Sequence, residues 1–98
     1  SHLPQATATA LALALRGTGV RRDALGPGGR DPTRLAASSP EMWTGIALEN
    51  AEPLDGALAA LEARIAELRA SLRARDPDAL AAYFSAAREW CAGMDESF

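Results

Sequence analysis

Lysine is absent from this chain: all ten basic residues are arginine. That removes Schiff-base chemistry and the phosphate-gripping lysine of a Walker loop. There is one histidine and one cysteine, too few for a zinc site or an internal disulfide framework. A reducing cytoplasm is therefore the expected setting, with no metal. Aromatic residues make up only 5% of the chain, so little bulk is available to fill a core. With a net charge of −3 there is no electrostatic case for nucleic acid. The one apolar run, Ala6–Leu15, has no basic lead-in and falls well short of the ~20 residues of a membrane span. Neither a signal peptide nor a membrane anchor is expected.

What is present is alanine, leucine and helical rhythm. At 98 residues the chain makes one domain, and a domain this small buries only roughly 60–65% of its unfolded surface, so a partner subunit would help it. The segment ATATALALAL alternates like a strand, but alanine rather than β-branched residues fills the alternation, which predicts a helix over about 3–16. Gly17 and Gly19 end it. From 17 to 30 glycines and Pro27 argue for loop, with Arg21-Arg22-Asp23 as a turn or helical start. Thr33–Ala37 predicts a brief helix. Ser39-Pro40-Glu41 is a helix start: a capping serine, proline in the first position and an acid facing the dipole. That helix should run to Glu49 or Asn50, with Pro53 breaking or kinking it.

Leu54, Leu58, Leu61, Ile65, Leu68 and Leu72 are spaced four, three, four, three, four, an a/d seam over nearly three heptads. Asp76-Pro77-Asp78 stops this helix and caps the next. There Leu80, Phe84, Ala87, Cys91 and Met94 repeat the rhythm, with Tyr83 and Trp90 packing beside them and Cys91 as a buried small hydrophobe. Two striped helices joined by a tight turn make an antiparallel hairpin. The predicted class is all-α, with a glycine-rich loop and a C-terminal helical hairpin.

Chemistry concentrates in Gly26–Trp43, where three glycines, three prolines, Arg30, Asp31, Arg34 and Trp43 fall together. GPGGR is not a dinucleotide fingerprint, because GxGxxG and a preceding strand are both missing. Arg34 is either a carboxylate clamp, its planar fork matched to two oxygens, or a solvated arginine on a short helix; composition favours the second. Asp31 either orients Arg30 or Arg34 or caps the brief helix. Trp43 at this position is more often core than ligand wall. His2 is a candidate ligand group, although Ser-His is also what an expression scar leaves at a chain start. No acid pair and no Ser-His arrangement is available, so no catalytic residue is assigned within this segment.

Two stretches resemble a known family. SHLPQ at Ser1–Gln5 and LGPGGRDPTRLAASSPEMW at Leu25–Trp43 are similar to the C-terminal helical domain of prephenate and arogenate dehydrogenases. The family pattern there is SHLPH, a glycine pair, an aromatic, Arg/Lys-Asp, Thr-Arg-[Ile/Leu]-Ala and Ser-x-Pro-x-Met-Trp. The likeness covers nearly the whole chain, 1–98, in order and helix layout. It implies an oxidoreductase of tyrosine biosynthesis, an oxidative decarboxylation with hydride transfer to NAD or NADP. The cofactor and the catalytic histidine would belong to an N-terminal Rossmann domain absent from these 98 residues, leaving the fragment alone inactive. This domain would supply an intertwined homodimer and the substrate carboxylate site for prephenate or arogenate. The resemblance places Arg34 on a substrate carboxylate, His2, Gln5 and Trp43 at the site, and Asp31 with Arg30 in an ionic network at the subunit interface. Three positions depart from the pattern: Gln5 stands for the second histidine, Gly29 for the aromatic, and Pro32 separates Asp31 from Thr33. Gln5 bears most on the choice between prephenate and arogenate. The competing reading is a non-enzymatic helical dimerisation or interaction module, motivated by the heptad seam.

Overall fold

A computed structural model describes residues 2–19, 21, 23, 26 and 32–96, with the backbone alone at 94–96. Four α-helices and one 3-10 helix appear in the order α1 (His2–Gly17), the 3-10 helix Arg34–Ala37, α2 (Pro40–Glu49), α3 (Ala51–Ala74) and α4 (Pro77–Glu96). No strand occurs among the described residues, and the class is all-α. The chain divides into two compact units, Ser1–Ala59 and Ala60–Phe98.

In the first unit, helix formation at 2–17 follows the alanine content, since alanine loses no side-chain entropy on entering a helix. Pro4 is harmless in the first turn, where its missing N–H would have had no intrahelical partner. The helix ends as Thr18 and Gly19 donate to the carbonyls of Leu15 and Arg16, both at 3.0 Å. Gly19 takes a φ of +82°, a left-handed conformation that side chains other than glycine's resist.

Ser39 caps α2 as expected, its Oγ accepting from the Met42 N–H at 3.3 Å, with Pro40 in the first helical position. The predicted break at Pro53 is not what separates α2 from α3. Asn50 does that: its N–H reaches the carbonyls of Ile46 and Ala47 at 3.2 Å, and its Nδ2 donates to Ile46 at 2.8 Å. The Asn50 carbonyl then accepts from Leu54 at 2.9 Å and opens α3. Pro53 falls inside the first turn of α3, where a proline removes no intrahelical bond. A proline close behind a helix reads as a stop only until the next helix starts ahead of it.

The second unit is the helical hairpin. The end of α3 is a Schellman turn: Asp76 N–H donates to Ser71 at 3.2 Å and Arg75 N–H to Leu72 at 3.1 Å. Arg75 adopts φ +51° there. Asp76 Oδ1 accepts from Asp78 and Ala79, both at 3.1 Å, and caps α4. Tyr83 Oη donates to the Arg64 carbonyl at 2.9 Å, tying the returning helix to the outgoing one. Two sequence expectations fail here. Cys91 is exposed rather than buried, and Trp90 is 68% exposed rather than packed in the hairpin. Both follow Tyr83, after which every described side chain of α4 is exposed.

The α3 seam is covered unevenly. Leu54, Leu58, Leu61 and Leu68 are half-buried, whereas Ile65 and Leu72 are exposed. Among the described residues the only buried hydrophobic residue is Ala8, accompanied by the buried polar residues Gln5 and Thr33.

Candidate functional site

Two helix faces with the same spacing define a pocket in the first unit. On α1, His2, Gln5, Ala6 and Thr9 stand at i, i+3, i+4 and i+7. On α2, Pro40, Trp43, Thr44 and Ala47 repeat that series. This spacing puts four side chains on one stripe of a helix. Between the stripes lies a pocket of about 410 Å³, closed further by Ala36, Ser38 and Leu54. The volume lies in the ~300–1,000 Å³ range typical of small-molecule sites.

The lining is largely small and apolar, with a few polar groups. Thr9 Oγ1 and Thr44 Oγ1 are committed as donors to their own helices, to Gln5 O at 3.0 Å and Pro40 O at 2.8 Å. Their lone pairs stay available as acceptors. The rings of His2 and Trp43 meet edge to face, with centroids 5.9 Å apart and planes at 79°, the arrangement that the ring quadrupole favours. Trp43 Nε1 is buried without a hydrogen-bond partner. An indole N–H in that state costs about 1–3 kcal/mol, and a ligand acceptor entering the pocket is one way to remove that cost. Among the described residues that line the space, His2 is the one with an ionisable side chain.

Gln5 is the most constrained polar residue of the site. It is 7% exposed, and its Nε2 donates to the Leu35 carbonyl at 2.7 Å. The bond ties α1 to the 3-10 helix that begins at Arg34. The pocket thus brings together three residues singled out in the sequence: His2, Gln5 and Trp43. Arg34 is exposed and does not line the pocket, although it opens the 3-10 helix whose Ala36 does. Arg30 and Asp31 lie outside the described residues, and so does most of the glycine-rich loop. Thr9, Ser38 and Thr44 were missed. The signal for Thr9 and Thr44 was the pair of matched i, i+3, i+4, i+7 series, visible only once both helices are known to face one space.

The pocket draws His2 and Gln5 from the start of α1 and Pro40 and Trp43 from the start of α2, the two stretches that carry the resemblance noted in the sequence. Residues 1–86 match the family described as prephenate dehydrogenase, dimerization domain. The chain belongs to that family. No curated protein and no solved structure matches it.

Proposed function

We propose that the chain is the substrate-binding and dimerisation part of a prephenate or arogenate dehydrogenase of tyrosine biosynthesis. The observation that carries this reading is family membership over residues 1–86, with His2, Gln5 and Trp43 gathered on one pocket. The reaction is the oxidative decarboxylation of a cyclohexadienyl ring, in which NAD or NADP takes up the hydride. The cofactor and the acid–base histidine are assigned to an N-terminal Rossmann domain of the same protein. In this reading the isolated 98 residues are inactive, and the protein works as a cytoplasmic homodimer. No helix among the described residues is long and apolar enough to cross a membrane.

The roles of this chain's residues follow from their chemistry. Arg34 grips a substrate carboxylate; its exposure leaves the guanidinium free to meet an incoming anion. His2 and Trp43 form an aromatic wall against the substrate ring. Trp43 Nε1 supplies a donor, and Gln5 lines the pocket with them. Arg30 and Asp31 join an ionic network at the subunit interface.

The test is Arg34→Ala in the full-length enzyme. Losing one partner of a charge-assisted pair costs ~2–5 kcal/mol where the pair is desolvated. The expected outcome is a KM for prephenate raised at least ~30-fold, with the KM for NAD(P) unchanged. A normal prephenate KM in that variant would sink the role of Arg34.

A further inference from the structure

We propose that Gln5 acts as a positioning residue, holding the 3-10 helix in place and through it aiming Arg34. The inference rests on the reading of Arg34 as a carboxylate ligand.

Three observations converge on it. A 3-10 helix of four residues has poor internal hydrogen-bond geometry and little stability of its own. The bond that closes it runs from Ser38 N–H to the Leu35 carbonyl at 3.2 Å. The same carbonyl receives the second, shorter bond from Gln5 Nε2 at 2.7 Å, across a separation of 30 residues. Finally, the three buried residues of the described chain are Gln5, Ala8 and Thr33. Gln5 and Ala8 are three apart on α1, so they share the face on which this short segment rests. Thr33 immediately precedes Arg34.

A carbonyl can only accept, so the Gln5 amide must present its NH₂ to Leu35. One of the two amide N–H groups is therefore committed within the protein. The Leu35 carbonyl belongs to the peptide that joins Leu35 to Ala36, one peptide unit from the Arg34 Cα, so anchoring it restrains the Arg34 backbone through Leu35. Misplacing a substrate-gripping group by about 1 Å can cost ~100-fold in rate, so an anchor one residue away has leverage on the site.

The experiment is a double-mutant cycle in the full-length enzyme, reading kcat/KM for prephenate, KM for NAD(P) and the melting temperature. Gln5→Met keeps length and helix propensity but removes the donor. It should lower kcat/KM for prephenate by ~3- to 10-fold, mainly through KM, and leave the cofactor KM unchanged. In an Arg34→Ala background the same change should cost less than about twofold, because residues that act through one another are not additive. Gln5→Glu, with the same shape but only acceptors facing the Leu35 carbonyl, is the second variant should Gln5→Met fail to fold, and it should be the more damaging of the two.

Full additivity would overturn the proposal and make Gln5 an independent substrate contact. A lowered melting temperature with unchanged KM would overturn it too, leaving a purely structural bond. If Arg34→Ala alone leaves the prephenate KM normal, the carboxylate reading falls and takes this one with it. If Arg34→Ala is defective but Gln5→Met is silent, only the positioning role is lost.

Discussion

Trp43 carries the sharpest residue-level contrast in the protein. Its ring packs against His2, while its Nε1 is buried with nothing to bond. If that N–H serves a ligand, the two halves of the side chain do separable work. Trp43→Phe retains an aromatic face and deletes the unpaired donor. Removing a buried unsatisfied donor offsets part of the packing lost with the smaller ring, so stability should change by no more than about 1 kcal/mol. At the same time kcat/KM for prephenate should fall ~5- to 10-fold, the worth of one hydrogen bond. Thermal melts and steady-state kinetics on the same preparation check both parts. A large fall in melting temperature with intact kinetics would make Trp43 a packing residue only. The sequence could place Trp43 one turn into a capped helix, yet it could not say whether the indole was covered. That depends on His2, which is 41 positions away in the chain. Arg34 is the converse case. Its chemistry was legible from residue type, but its exposure follows from how the 3-10 helix lies on α1, and no local pattern encodes that.

At the scale of elements the boundaries were largely legible because each one has a side-chain cause nearby. Ser39 with Pro40, and Asp76 with Pro77, are cap-plus-proline pairs whose bonds are satisfied within three residues, and local causes leave local signatures. The end of α2 at Glu49 was legible, but the start of α3 at Ala51 was not, because an asparagine that caps one helix while its carbonyl opens the next resembles an ordinary helical residue in sequence. The Schellman turn after α3 offers a test of how tightly such a joint is made. Arg75 holds φ +51° in a position that glycine normally fills. A residue with a Cβ pays roughly 1–2 kcal/mol for that conformation, while glycine costs more entropy on folding. Arg75→Gly should therefore stabilise the protein by a net ~0.5–1 kcal/mol, seen as a higher denaturant midpoint with an unchanged m-value. Activity should be untouched, since Arg75 belongs to the hairpin unit and the pocket to the first unit. A destabilised variant would mean that the arginine side chain makes contacts worth more than the strain.

For the whole molecule the decisive quantity is how little is buried. Ordering a residue costs on the order of 1–2 kcal/mol of backbone entropy, and the compensation must come mainly from apolar area removed from water. Among the described residues Ala8 is the one buried hydrophobic residue, while Ile65 and Leu72 on α3 and Phe84 and Trp90 on α4 remain 47–68% exposed. The heptad seam was legible as a pattern, but a pattern names a sticky face without naming what covers it. Membership of a dimerisation-domain family supplies the occupant we propose: a second copy of this chain, completing the core that a single copy lacks. Folding and association then become one equilibrium, and the melting temperature must rise with protein concentration. Each tenfold increase should add ~1.4 kcal/mol to the apparent stability of a two-state dimer. A charge at the centre of the exposed stripe probes the same coupling, because an unpaired carboxylate buried at an interface is strongly unfavourable. Phe84→Glu should both dissociate the dimer in sedimentation and lower helicity at 222 nm, since the released chains cannot hold their own fold. Unchanged sedimentation at micromolar concentration would move the interface off the α4 face. A wild-type monomer whose melting temperature ignores concentration would remove the second copy altogether, and would require these four apolar side chains to be stable in water.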